Sequence, residues 1–281
     1  AYAYFLRADA HKNDGDIERF ISDAMQSHEH GEDNYISTYS LAYLGEGYFR
    51  KGDFKKSYDS YYKMHLDLEE EKHSEESPEE KDQMNDIRNE LAGILGLVST
   101  KMNDNQLTVK WLRKAIEQDH ENKLQKMNLH KHLADALLEL DETEDSLKAY
   151  YASDSYTNQA PVKLAIGKLL SNKGNFNKAI QYFTDSIKYD AKPHFVYFNR
   201  ASAYIEIGEY QKAINDYSAM LAKTSMTEDI KLYYTLLMLR GLAYQQSRNW
   251  EQACTDFAEA ISLGHPTAND YLLKFATKCI S

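Results

Sequence analysis

One motif recurs along this sequence, and it limits the possible folds more than any other feature. Its clearest copies occupy residues 44–61 (LGEGYFRKGDFKKSYDSY), 166–183 (IGKLLSNKGNFNKAIQYF), 201–217 (ASAYIEIGEYQKAINDY) and 241–257 (GLAYQQSRNWEQACTDF). Three weaker copies lie at the start of the chain and within residues 89–158. Alignment of all the copies on their central position predicts seven turns, near Gly15, Gly52, Asn103, Asp141, Gly174, Gly208 and Arg248. A period of about 34 residues predicts an array of repeated structural units.

Each copy has the pattern of two amphipathic helices joined by a short turn. Apolar residues recur at steps of three and four on both sides of the central position, as a helix that buries one face requires. Small residues such as Gly167 and Ala201 allow two helices to approach closely, and bulky residues such as Phe183 fill the remaining space. Glycine and asparagine accept the left-handed backbone of such a turn, whereas arginine does not. The turn at Arg248 is therefore predicted to be looser or differently shaped.

The composition favours an all-α fold. The chain has 12 glycines and 4 prolines among its 281 residues, which are too few for the many tight turns of a β-sandwich or barrel. Hydrophobic residues make up 42% of the chain, which is close to the globular norm and excludes disorder throughout.

The acidic residues are concentrated in one segment. The net charge is −11, and the sequence has no basic stripe that would bind a phosphate backbone, so nucleic-acid binding is not expected. The longest interval between predicted turns, from Gly52 to Asn103, contains an acidic insertion at about residues 67–86. A solvated loop between helix ends is one interpretation of this insertion, and a docking site for a basic partner is the other.

The order of small, aromatic and turn residues resembles the tetratricopeptide repeat (TPR) family over most of the chain. The resemblance implies a right-handed α-solenoid of six to seven helix hairpins over residues 1–265, with a concave groove lined by the first helix of each hairpin. Residues 266–281 resemble the C-terminal helix that closes such arrays. This helix covers the last hairpin in one interpretation, and in another the chain once continued beyond it.

The resemblance also implies which residues face the groove. Leu164, Phe198, Met238 and Leu242 are expected to form one apolar strip on its floor, and an exposed apolar strip usually marks a protein contact. The alternative is that the C-terminal helix or a neighbouring turn covers the strip. The full set of candidate partner-binding residues is Tyr39, Glu46, Lys131, Asp135, Leu164, Lys168, Phe195, Phe198, Asn199, Ser202, Met238 and Leu242.

Some members of this family clamp the C-terminal carboxylate of heat-shock chaperones. That clamp requires lysine, arginine and asparagine residues at set positions of three consecutive hairpins. Asn199 is the one residue here that matches in register. The sequence therefore does not support a chaperone clamp.

The sequence contains no recognisable catalytic, cofactor or metal motif. Gly-rich phosphate loops and the GxSxG nucleophile elbow are absent. The pairs His28/His30 and His130/His132 are two residues apart, so a helix would point their imidazoles to different faces, and no metal site is predicted. Two cysteines are too few for a disulfide framework. Cys254 falls on the second helix of its repeat, one residue after Ala253, and is expected to be a buried packing thiol.

The remaining features suggest a cytoplasmic protein without membrane insertion. No apolar run approaches the ~18 residues that span a bilayer, and no signal peptide or Asn-x-Ser/Thr acceptor occurs. The chain begins at Ala1 and not at Met, so removal of a leader or a preceding domain stays open.

Two functions are compatible with these observations. The first is a non-catalytic scaffold or adaptor that binds a peptide or helix of a partner protein in its groove. The second is a regulatory receptor that senses short peptides and resembles the bacterial TPR pheromone receptors. An enzyme is not expected.

Overall fold

A computed structural model describes residues 1–31, 34–70, 78–117, 123–189, 194–227, 229–274 and 276–279. These residues form sixteen helices and no strand. The chain divides into two compact units, residues 1–156 and residues 157–281.

Unit 1 consists of four consecutive helix pairs. Its helices are α1 (Tyr2–Asp14), α2 (Ile17–Glu29), α3 (Asn34–Lys51), α4 (Phe54–Glu70), α5 (Pro78–Lys101), α6 (Asn105–Ile116), α7 (Lys123–Glu139) and α8 (Thr143–Tyr156). Each helix packs against the next, and α1 also contacts α3 as α5 contacts α7. The first helices α1 and α3 therefore lie side by side, as do α5 and α7.

The middle of the acidic insertion lies outside the described residues. Helix α4 continues to Glu70 and the backbone of α5 begins at Pro78, whereas residues 71–77 are not described. Part of the extra length of this repeat therefore extends the two helices on either side, and α5 is 24 residues long.

Unit 2 consists of three helix pairs followed by two short helices. The pairs are α9 (Ala160–Asn172) with α10 (Phe176–Tyr189), α11 (His194–Glu206) with α12 (Tyr210–Leu221), and α13 (Ile230–Gln246) with α14 (Trp250–Ser262). The segment 266–281, predicted as one helix, contains α15 (Ala268–Lys274) and α16 (Ala276–Cys279). Both short helices contact α14.

Within a pair, a small residue of the first helix faces a bulky residue of the second, sixteen positions later. A Cβ added at Gly167 would lie 2.5 Å from the Phe183 ring, and one at Gly241 would lie 2.6 Å from the Phe257 ring. The pairs Gly45–Tyr61 and Gly96–Leu112 are equally close. The structure thus confirms that small residues let the two helices approach.

An arginine–aspartate pair with the same spacing joins the helices in three of the repeats. Arg7, Arg200 and Arg240 each donate two hydrogen bonds to an aspartate sixteen residues later, at 2.5–2.9 Å, and the aspartates are Asp23, Asp216 and Asp256. The hydrogen bonds from Arg7 lower the pKa of Asp23. These buried carboxylates are thereby compensated, as buried charges must be. These arginine–aspartate pairs were not predicted, because the repeat pattern was defined by small, aromatic and turn residues.

All seven predicted turn residues adopt a left-handed backbone, with φ between 56° and 85°. Arg248 is one of them, with φ 62°, so the prediction of a looser or different turn there is wrong. Its amide donates to the carbonyl of Gln245 at 3.0 Å, and the following amide donates to that of Tyr244 at 2.8 Å. In the preceding repeat, the amides of Gly208 and Glu209 make the equivalent two hydrogen bonds. The repeat geometry therefore imposes the left-handed conformation on a residue that disfavours it.

Replacement of Arg248 by glycine is expected to stabilise unit 2. Glycine adopts positive φ without the steric cost that a Cβ brings, and this gain exceeds the greater chain entropy of glycine in the unfolded state. We expect Arg248→Gly to raise the free energy of unfolding by about 1 kcal/mol in urea denaturation. The control Arg248→Ala keeps the Cβ and should match the wild type, so equal values for the glycine and alanine variants would contradict this account.

The close approach at Gly167 gives a second prediction. We expect Gly167→Ala to lower the free energy of unfolding by about 1–3 kcal/mol, because the new methyl group overlaps the Phe183 ring. The double variant Gly167→Ala/Phe183→Leu should lose less stability than the sum of the two single variants. If urea denaturation shows additive losses of unfolding free energy, the two side chains do not clash and this account is wrong.

Candidate functional site

The surface formed by the first helices of unit 1 contains an apolar cavity between α5 and α7. Its volume is about 410 Å³, and Ile94, Leu97 and Leu124 line it together with Glu90 and Asn128. All three aliphatic side chains are exposed. None of the three is among the predicted groove residues. The groove positions used for the other repeats correspond to Leu97 in the third repeat.

A second cavity of unit 1, of about 560 Å³, lies nearer the turns and is more polar. The candidate residue Asp135 lines it with Thr100 and Asn105. Asp135 accepts hydrogen bonds from Lys131 at 2.8 Å and from the Tyr150 hydroxyl. Burial and the hydrogen bond to Asp135 raise the pKa of Tyr150. Lys131 and Asp135 thus neutralise each other on this surface.

Glu46 is also neutralised within unit 1. Its carboxylate contacts Lys12 at 2.6 Å and Arg50 at 2.5 Å. Beside it, the Tyr43 hydroxyl donates to Asp9 at 2.8 Å, and burial together with Asp9 raises the pKa of Tyr43 to about 12. The candidate residue Tyr39, on the same helix as Glu46, is half-buried.

In unit 2, the surface formed by the first helices contains a cavity of about 290 Å³. Two predicted residues, Ser202 on α11 and Leu242 on α13, line this cavity. The full set of lining residues is Ser202, Ile205, Glu206, Tyr217, Leu239, Leu242, Ala243 and Gln246, and we call this space the unit 2 cavity. Its walls are largely apolar, and its polar groups lie beside them.

Two exposed phenylalanines lie on the helix that forms one wall of the unit 2 cavity. Phe195 is 78% exposed and Phe198 is 39% exposed. Phe195, Phe198, Ser202 and Ile205 follow one another at steps of three and four, which places them along one face of α11. The apolar wall of the cavity therefore continues along the helix to these two aromatic rings.

The polar candidate residues of α11 mainly bond their own helix. The Asn199 amide donates to the Phe195 carbonyl at 2.6 Å, and the Ser202 hydroxyl donates to the Phe198 carbonyl at 3.1 Å. On α9, Leu164 is half-buried and Lys168 is exposed. Phe195 and Phe198 are thus the most accessible large apolar candidates in unit 2.

Met238 does not lie on this surface. It is 5% exposed and belongs to the buried core of unit 2. The expected strip through Leu164, Phe198, Met238 and Leu242 is therefore interrupted at Met238, and its neighbour Leu239 lines the cavity instead. Successive residues are about 100° apart around a helix axis. A groove position that is wrong by one residue therefore exchanges a surface residue for a core residue.

The C-terminal helices do not line the unit 2 cavity. All its lining residues come from α11, α12 and α13. Helix α15 packs chiefly on α14, and its Tyr271 ring lies 6.0 Å from that of Phe257. Among the described residues, the expected alternative of a C-terminal cover over this part of the groove is therefore not observed.

One histidine of each pair and both cysteines have structural partners. His28 contacts Ser37 at 2.9 Å and Lys63 at 2.8 Å, and His130 stacks on Tyr156. Within the described part of the chain, no group of three or more His, Cys, Asp or Glu residues is placed to hold a metal ion. Cys254 forms a disulfide with Cys279, so the prediction of a buried packing thiol is wrong.

Both units consist of helix pairs that share one turn geometry and one interhelical contact, which defines an α-helical repeat protein. The sequence model of the tetratricopeptide repeat family matches residues 160–193 and 196–220. These segments cover α9 and α10 and most of α11 and α12. Residues 160–220 therefore contain two tetratricopeptide repeats.

Two curated proteins are similar to this chain in sequence. Protein FlbA of Caulobacter vibrioides is 27% identical over 180 residues, which cover 61% of this chain and 28% of that protein. Human tetratricopeptide repeat protein 6 is 28% identical over 120 residues, which cover 43% of this chain and 21% of that protein. The matches thus span about a quarter of the length of these relatives.

A solved structure shows the same fold over almost the whole chain. The C-terminal part of a TPR repeat-containing protein from Cytophaga hutchinsonii matches with a TM-score of 0.68 at 12% identity, and the match covers 95% of this chain and 98% of that one. Together with the family match, this fold supports a protein–protein interaction scaffold. No helix in the described ranges is both long and apolar enough to cross a bilayer.

Proposed function

We propose that this protein is a non-catalytic scaffold that binds a segment of a partner protein on the first-helix surface of unit 2. The observation that carries the proposal is the apolar wall of the unit 2 cavity, which continues along α11 to the exposed rings of Phe198 and Phe195. A large apolar side chain gains free energy when it leaves water, and aromatic residues are enriched among binding hot spots.

The geometry favours a partner segment with apolar side chains at regular intervals. Phe195, Phe198 and Ile205 on α11 lie at steps of three and seven, and Leu239 and Leu242 on α13 are three positions apart. An amphipathic helix presents its apolar side chains with the same periodicity, as helix-in-groove recognition requires. Glu206 and Gln246 beside the apolar wall supply polar groups that would fix the orientation of the segment.

A rigid framework supports this mode of binding. The helices that carry the site are fixed by the contact between Gly241 and Phe257 and by the ion pairs of Arg200 and Arg240. A preorganised surface loses little conformational entropy on association, so more of the contact free energy contributes to affinity. The proposed binding therefore uses a surface that the packing of the repeats has already ordered.

The carboxylates on the first-helix surface of unit 1 agree with a non-catalytic role. Glu46 and Asp135 are paired with lysine or arginine side chains. Both carboxylates therefore have cationic partners within the fold, as a structural role in a scaffold requires.

Substitution of the two exposed phenylalanines tests the binding surface. Peptides selected from a displayed random library against the wild-type protein are expected to bind the variant Phe195→Ala/Phe198→Ala at least about tenfold more weakly, because two apolar contacts are lost. Isothermal titration calorimetry measures the affinities, and an unchanged helical circular-dichroism spectrum shows that the fold is intact.

The matched control is Tyr189→Ala, which removes an aromatic ring that is 52% exposed on α10. This variant should bind the selected peptides within about twofold of the wild type, since α10 is the second helix of its pair and does not line the cavity. Equal affinities for the wild type and the double variant would refute binding at α11.

A further inference from the structure

The disulfide joins the last repeat to the end of the chain. Cys254 lies on α14 and Cys279 on α16, with their Cα atoms 5.7 Å apart and 25 positions between them in sequence. This Cα separation lies within the usual range for a disulfide. The chain has two cysteines in all, so one intramolecular pairing is possible, and it encloses α15 in a covalent loop.

Few of the described apolar side chains attach the enclosed segment to unit 2. Helix α15 has seven residues and α16 has four, and helices this short are unstable without support from packing. Ala268 is fully buried and Tyr271 is half-buried against the core of unit 2, whereas Leu273 is 66% exposed. Helix α14, in contrast, buries Phe257 and two alanines. Among the side chains that the structure describes, Ala268 and Tyr271 are thus the apolar contacts of α15 with this core, and the disulfide fixes α16.

We propose that the Cys254–Cys279 disulfide is a redox-sensitive lock that holds α15 and α16 on the last repeat. Reduction by a dithiol opens the lock. One thiolate of the reductant attacks one cysteine sulfur, the bond between the two cysteines breaks, and the other cysteine leaves as a thiolate. The second thiolate of the reductant then attacks the reductant sulfur of the mixed disulfide and releases the first cysteine, and both cysteine thiolates take up protons from water. The reductant leaves as a disulfide, and Cys254 and Cys279 become thiols. The C-terminal segment then detaches, while the helix pairs keep the contacts that do not involve it.

The disulfide also relates to the compartment in which the protein functions. Disulfides persist in oxidising compartments and are rare where thiol reductants are abundant. A chain with two cysteines that form one disulfide matches an oxidising location better than the cytoplasmic one that the sequence suggested. In a reducing compartment, the same pair would leave the C-terminal segment released.

Thiol labelling tests whether the lock forms. The full chain is equilibrated in a glutathione buffer poised near −200 mV, a potential typical of an oxidising compartment, and then denatured and treated with a polyethylene-glycol maleimide. We expect no labelled cysteine before treatment with dithiothreitol and two after it. Two labelled cysteines in the oxidised sample would overturn the proposal.

Hydrogen–deuterium exchange tests whether the lock holds the segment. Dithiothreitol should speed the exchange of amides in residues 266–279 by at least about tenfold, since closure of a loop of this length shifts the equilibrium by on the order of a hundredfold. Amides of α11 and α12 should be unaffected. The control Cys254→Ser/Cys279→Ser should exchange fast in this segment with and without dithiothreitol.

The single variant Cys279→Ser is a second control, because it removes the disulfide without a substitution in α14. It should exchange as fast as the reduced wild type in residues 266–279. If exchange in the wild type is unchanged by reduction, packing alone holds α15 and α16, and the proposed lock is wrong.

Discussion

The close contact between the two helices of each pair is the interaction on which the rest of the structure depends. A small residue such as Gly167 meets a bulky one such as Phe183 sixteen positions later, with no room for an added Cβ. In three repeats, the preceding position on each helix carries an arginine–aspartate pair with the same spacing, such as Arg200 with Asp216. Apolar and ionic contacts therefore fix the same geometry, which explains how sequences that diverge at these positions form equivalent helix pairs.

The repeat positions and the helical fold could be predicted from the sequence because their causes are local. A turn residue, a small residue and a bulky residue at fixed spacing lie within one repeat, so a single chain displays the whole pattern. Arg248 shows where local preference fails. Arginine by itself disfavours a left-handed backbone. The hydrogen bonds that join the turn to the preceding helix are the same as in the preceding repeat, and they determine the conformation.

The candidate site could be predicted less well, since it depends on how each helix is rotated about its axis. Periodicity identifies one face of α13, but the packing of neighbouring helices decides that Met238 enters the core and Leu239 lines the unit 2 cavity. The disulfide was missed for a related reason. Cys254 and Cys279 come together because the chain changes direction between α14, α15 and α16, and no periodic signal marks that change.

The candidate residues of the two units differ in what they leave available for binding. In unit 1, Glu46 and Asp135 are paired with cations of the same unit, so much of their charge is already compensated before a partner arrives. In unit 2, Phe195 and Phe198 stay exposed to water although an apolar wall continues from them along α11. Exposure of such side chains brings no stability to the isolated chain, whereas their burial by a partner releases free energy. Apolar contact, with the charged residues acting mainly on orientation and approach, is thus the physical basis of the proposed binding.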